Sequence, residues 1–169
     1  MGSFQGMGAD QVVMVVIPAL KYNEKISEVL KAVNEARIVY VTVNKPHGTI
    51  LQNLKKEHVD TGGISFIDAT GKKGENEPNC VRVDSPTDLI QLEIKIFEVI
   101  KEKKPNVVVF DSITTLAIYN DELSVLKFVH RLATKIRDTE SKLLLPCLGD
   151  NSTLVKDSSM FADAVISID

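Results

Sequence analysis

An acid and a hydroxyl, Asp111 and Ser112, stand directly after four apolar residues, Val107 to Phe110. A run of that length and make-up reads as a strand buried on both faces. Its terminal carboxylate then falls at the C-terminal edge of a sheet, where open α/β folds take their ligands. An aspartate so placed could act on Mg²⁺ beside a nucleotide phosphate, with Ser112 holding a water or a backbone amide. It could equally cap the turn that follows. Phosphoryl chemistry needs two further parts: a cradle of backbone N–H groups with a lysine, and a group that orients the attacking water. The cradle belongs after the first strand. There the chain reads Pro18-Ala19-Leu20-Lys21-Tyr22-Asn23-Glu24, without a glycine.

Lys21 is therefore a single lysine on a loop that carries side chains where bare backbone is required, and its plainest reading is a solvated charge. Gly71-Lys72-Lys73-Gly74 lacks the spacing of a phosphate cradle and the Ser or Thr that should follow, so it reads as a basic turn. His47 falls in the first turn of a helix, and neither it nor His58 has a partner visible in sequence. His130 lies beside an apolar stripe and reads as packing. Cys80 and Cys147 are far apart and near no His or Cys at ligand spacing, so no metal site is expected, and two such thiols fit a reducing cytosol. No G-x-S-x-G elbow or H-E-x-x-H pair occurs.

The elements that would position these residues follow from periodicity. In a chain of 169 residues, Met1 to Asp10 is glycine-rich and aperiodic and reads as a flexible lead-in, leaving 11–169 as a single domain. Strands are expected at Val12 to Ile17, Arg37 to Val43, Gly63 to Asp68, Cys80 to Val83, Val107 to Phe110, Leu143 to Leu148 and Ala164 to Ile168. Helices are expected between them. Asn23 would cap the first, with Ile26, Val29, Leu30 and Val33 on one face, and Pro46 would open the second. Ser85-Pro86-Thr87-Asp88 reads as a capping box for a third, ending in Lys101, Lys103 and Lys104. After the Asp111 strand come Ile113 to Tyr119 and then a helix begun by Asn120-Asp121-Glu122, which places Val125, Leu126, Val129, Leu132, Ala133 and Ile136 in one stripe. Strands alternating with helices predict a three-layer αβα fold on a mostly parallel sheet. The C-terminal strand ends then gather Lys21, Asn23, Asn44, Asp111, Ser112, Asp150 and Asn151 along one possible ligand edge.

The stretch Val107-Val108-Val109-Phe110-Asp111-Ser112-Ile113-Thr114-Thr115-Leu116 resembles the Walker B region of the RecA superfamily, in particular its KaiC-like members from archaea and bacteria. Tyr40 to Pro46, Ser85 to Leu89 and Phe161 to Ile168 fall where that family's elements would put them. The resemblance implies a RecA-like P-loop NTPase core of prokaryotic, archaeal type. In that core the strand ending at Leu148 lies between the first strand and the Asp111 strand. It also implies that Asp111 and Ser112 are the Mg²⁺ and nucleotide remnant of a Walker B motif. Two departures stand out. The family's G-x-x-x-x-G-K-[ST] is absent after Ile17, and the acid that follows the second strand in relatives is replaced by Asn44-Lys45.

The expectation is a non-catalytic RecA/KaiC-like domain that serves as a binding, regulatory or scaffolding module. The alternative is an atypical NTPase whose site a partner subunit completes. No catalytic residue and no cofactor are expected, with ATP and Mg²⁺ the only candidates of that kind. A protein partner or self-association is expected. Net charge of −3 leaves no footprint for nucleic acid, and no apolar stretch is long enough for a membrane, which suits a cytoplasmic protein.

Overall fold

A computed structural model describes residues 4–33, 37–149 and 152–169. Seven strands form one sheet: β1 (Val12–Ile17), β2 (Ile38–Thr42), β3 (Ile64–Asp68), β4 (Cys80–Arg82), β5 (Val107–Asp111), β6 (Lys142–Leu148) and β7 (Ala164–Ser167). Every pair is parallel, and the order across the sheet is β4-β3-β2-β5-β6-β1-β7. β6 therefore lies between β1 and β5, as the resemblance implies.

Side chains alternate across each strand, which divides the core into two layers. On one face Val12, Met14, Val108, Phe110, Leu143 and Leu145 meet α3 (Leu89–Lys103), α4 (Ile113–Tyr119), α5 (Glu122–Ile136) and α6 (Thr153–Ser158). On the other, Val13, Val15, Tyr40, Phe66 and Val109 meet α1 (Tyr22–Val33) and α2 (His47–Lys56). The central strands are apolar on both sides because both sides are covered. Phe110 and Phe128 pack with ring centroids 5.5 Å apart and tie β5 to α5.

Three local readings are corrected. α1 begins at Tyr22, after a single 3₁₀ turn over Ala19–Lys21, so Asn23 lies inside the helix and does not cap it. α3 is capped by Asp88, which accepts from the Gln91 amide at 3.0 Å; Ser85 closes the preceding turn on the Thr87 amide. The lead-in is partly core, because Phe4 and Met7 are buried in the α1 and α2 layer. Isolated apolar residues in a glycine-rich stretch carry no periodic signal, and their burial could not be read from pattern.

Candidate functional site

Asp111 closes β5 with its side chain on the face shared by Val107 and Val109, toward α1 and α2. Register places Thr42 opposite Asp111 and Tyr40 opposite Val109, so Tyr40 sits one pleat below the carboxylate on the neighbouring strand. Asp111 is almost wholly buried and accepts three hydrogen bonds. Tyr22 donates to Oδ1 at 2.5 Å, Tyr40 donates to Oδ2 at 2.5 Å, and Asn44 Nδ2 donates to Oδ1 at 2.6 Å. Burial pushes the carboxyl above its ordinary value, while the two phenols, the Lys45 charge and the Asn44 amide pull it back. Burial and the adjoining carboxylate hold both phenols well above 10, so each remains a donor.

The amide of Asn44 links three elements. Its nitrogen serves Asp111 at the end of β5, and its oxygen accepts from Thr115 on α4. Ser112 is fully buried and caps α4 by accepting from the Thr115 amide at 3.3 Å. The peptide bond joining Asp111 to Ser112 is cis. Asn23 is exposed and accepts from Lys45 Nζ at 3.0 Å, and Lys21 is exposed at the end of the 3₁₀ turn. The structure thus brings Asp111 and Asn44 into contact, sets Ser112 beside them and leaves Lys21 outside. Asp150 and Asn151 lie outside the described residues.

The junction after β1 spends its backbone on itself. The Lys21 and Tyr22 amides donate to the carbonyls of Pro18 and Ala19, and Pro18 has no N–H to offer. Tyr22 then opens α1 and reaches Asp111. The remaining cavity is about 190 Å³, lined by Tyr22, Asn23, Ile26, Asn44, Ile50 and Asp111 among others. Ligand pockets ordinarily run to roughly 300–1,000 Å³. Sequence reasoning missed Tyr22 and Tyr40 as site residues. The available signal was a tyrosine at an inward position of a buried strand, since a buried phenol needs a polar partner.

A second polar cluster lies on the same sheet edge, at β3 and β4. Asp68, buried at the end of β3, accepts from the His47 amide at 3.0 Å and so serves α2, whose N-cap is Pro46. His47 Nδ1 is 3.3 Å from Asp68 Oδ2, and Arg82 Nη1 lies 3.5 Å from the same oxygen. Burial would raise the Asp68 carboxyl, but hydrogen bonds from Thr70 and His47 outweigh it and leave it below its ordinary value. Burial pushes the Cys80 thiol up to about 11. His47 therefore has a partner in Asp68, and Cys80 has a histidine near it in space, because the start of α2 and the paired strands β3 and β4 bring together groups far apart in sequence. The Gly71 to Gly74 turn is explained by Arg82. Lys72 O accepts from its guanidinium, and a Cβ at position 74 would come within 3.0 Å of Arg82 Nε.

A model of the family described as "Family of unknown function (DUF7504)" matches residues 13–167, nearly the whole chain. The chain belongs to that family. No curated protein matches it. Among solved structures it is similar to the KaiC-like protein PH0186 from the hyperthermophilic archaeon Pyrococcus horikoshii OT3. The TM-score is 0.71 at 16% identity, over 93% of this chain and 70% of that one. The fold of this DUF7504 member is accordingly RecA/KaiC-like.

Proposed function

We propose that the chain is a non-catalytic RecA/KaiC-like domain that acts as a binding or regulatory module and does not hydrolyse ATP. The observation that carries this reading is the state of Asp111: two phenols and an amide engage both oxygens of its buried carboxylate. An aspartate that serves Mg²⁺ needs a free oxygen facing the phosphates. The glycine-free junction supports the same reading, because side chains and inward-bonded amides stand where a phosphate cradle requires open N–H groups. The residues present do not fit Mg-nucleotide.

A protein partner or a second copy is the occupant this reading favours. Ile90 and Ile94 on α3, Ile118 and Tyr119 at the end of α4, and Leu123 at the start of α5 are all exposed. These elements meet where Asn120 Nδ2 donates to the Pro86 carbonyl at 3.0 Å. Cys80 and Cys147 are buried and form no disulfide, which supports a reducing, cytoplasmic setting. Among the described residues no helix is long and apolar enough to cross a membrane.

The test is ATP turnover and equilibrium binding of Mg-ATP on the purified chain. The expected result is neither, up to millimolar nucleotide. Turnover that Asp111→Ala abolishes would overturn the proposal. Turnover that appears only in a defined hetero-oligomer would replace it with the partner-completed NTPase.

A further inference from the structure

We infer that His47, Asp68 and Cys80 form a site for one divalent cation of the zinc class. The three residues come from the first turn of α2, the end of β3 and the start of β4, and their ligand atoms all lie within 4.8 Å of one another. A nitrogen, an oxygen and a sulfur suit a borderline-soft ion that takes tetrahedral coordination. Bonds of about 2.0–2.3 Å put tetrahedral ligands roughly 3.3–3.7 Å apart. His47 Nδ1 and Asp68 Oδ2 already stand at 3.3 Å, and the three ligand atoms lie within 4.8 Å of one another, so the set closes by side-chain adjustment.

The surroundings orient these ligands. Thr70 holds the other Asp68 oxygen through its amide at 3.0 Å and its hydroxyl at 2.6 Å, so the shared position falls to Oδ2, which also accepts from the His47 amide at 3.0 Å. His47 Nε2 is 3.4 Å from Glu77 Oε2, the carboxylate contact that a ligating histidine uses to fix its tautomer and raise its basicity. The charges also balance. A carboxylate, a thiolate and a neutral imidazole bring two negative charges to a dication, the Cys80 proton passing to solvent and the His47 proton staying on Nε2. A fourth position remains for water.

Arg82 holds the cation's place when the site is empty, with Nη1 3.5 Å from Asp68 Oδ2. It has other acceptors on the adjoining loop, the carbonyls of Glu75 at 3.2 Å and Lys72 at 3.5 Å and the Glu77 carboxylate at 3.9 Å. It can move onto these when a metal ion arrives. Residues 71–79 are exposed throughout and give the ion its approach.

The test titrates the full chain with Co²⁺ in a non-chelating reductant and without nucleotide, so its outcome is independent of the nucleotide reading. One equivalent is expected to produce a thiolate-to-cobalt charge-transfer band that Zn²⁺ removes. Cys80→Ser should abolish the band and Cys147→Ser should keep it. His47→Gln should weaken Zn²⁺ binding at least tenfold, and Arg82→Gln should tighten it about tenfold by removing a competing charge. No band on the unmodified chain, a band that survives Cys80→Ser, or Zn²⁺ affinity indifferent to His47→Gln would each overturn the inference. Should Cys80→Ser fail to fold, the band on the unmodified chain and on Cys147→Ser still decides it.

Discussion

Tyr40 has a fully buried ring, and its hydroxyl is the hydrogen-bond partner of Asp111 Oδ2. Replacing it with phenylalanine keeps the packing against Phe66 and leaves a buried carboxylate oxygen unpaired, a loss of about 1–3 kcal/mol. Urea unfolding should show that loss, and Tyr22→Phe should cost less, since Tyr22 is only partly buried and water can replace its hydroxyl. The same two phenols set the alkaline limit. Both have folded values raised above 10, so their contribution is complete below 10 and is lost as pH rises through those folded values. Stability of the unmodified chain should fall past pH 10, and the Tyr22→Phe, Tyr40→Phe double variant should fall less steeply in urea melts taken from pH 9 to 11.

At the scale of elements, Asp163 is the joint that fixes one end of the sheet. It precedes β7, accepts from the Gln11 and Val12 amides where β1 begins, and pairs with Arg137 at the end of α5 at 3.0 Å. The hydrogen bond from Arg137, reinforced by the Val12 and Gln11 amides, holds its carboxyl down at about 2. Its stabilisation is therefore present above the ordinary carboxylate value and is lost as pH falls from about 4 towards 2. Asp163→Asn should lower the urea midpoint at pH 6, and the gap from the unmodified chain should close by pH 2. A gap that persists at pH 2 would show that lost charge is not the cause. α3 offers a simpler case: Asp88→Ala removes the side-chain cap on the Gln91 amide and should lower stability by about 1 kcal/mol in the same assay.

How far such elements could be read in advance depended on whether their signal was local. Val107 to Phe110 declared a central strand by apolar run alone, and Val125 to Ile136 declared a helix face by period. Ser85 and Asp88 both look like caps, and only tertiary placement selects Asp88. The Asp111 cluster was half legible: its acid and Asn44 stood at strand ends, whereas the two tyrosines join it through register and a helix start. His47, Asp68 and Cys80 were invisible as a group because nothing local connects them.

On the scale of the whole molecule, a seven-stranded parallel sheet covered on both faces concentrates stability in its middle. β5 and β6 are flanked by strands on both sides and lie under α5, while β4 and β7 each have one neighbour and fewer residues. Native-state hydrogen exchange should find the amides of β5 and β6 opening only with global unfolding and those of β7 opening well before. Equal protection across all seven strands would contradict this account of the core.

Asn44 bears on how this sheet edge can change. An acid at 44 would set a second carboxylate where the amide nitrogen now lies 2.6 Å from Asp111, and it would present two acceptors to each other in a buried place. Asn44→Asp alone is therefore opposed by the Asp111 carboxylate, which loses the Asn44 donor and gains a like charge, while Thr115 keeps an acceptor at position 44. Opening the edge to a phosphate would require Tyr22 to withdraw and glycines to enter between Pro18 and Lys21 in the same step. The residues at the ends of β1, β2 and β5 are thus coupled through Asp111, and single substitutions among them break shared hydrogen bonds.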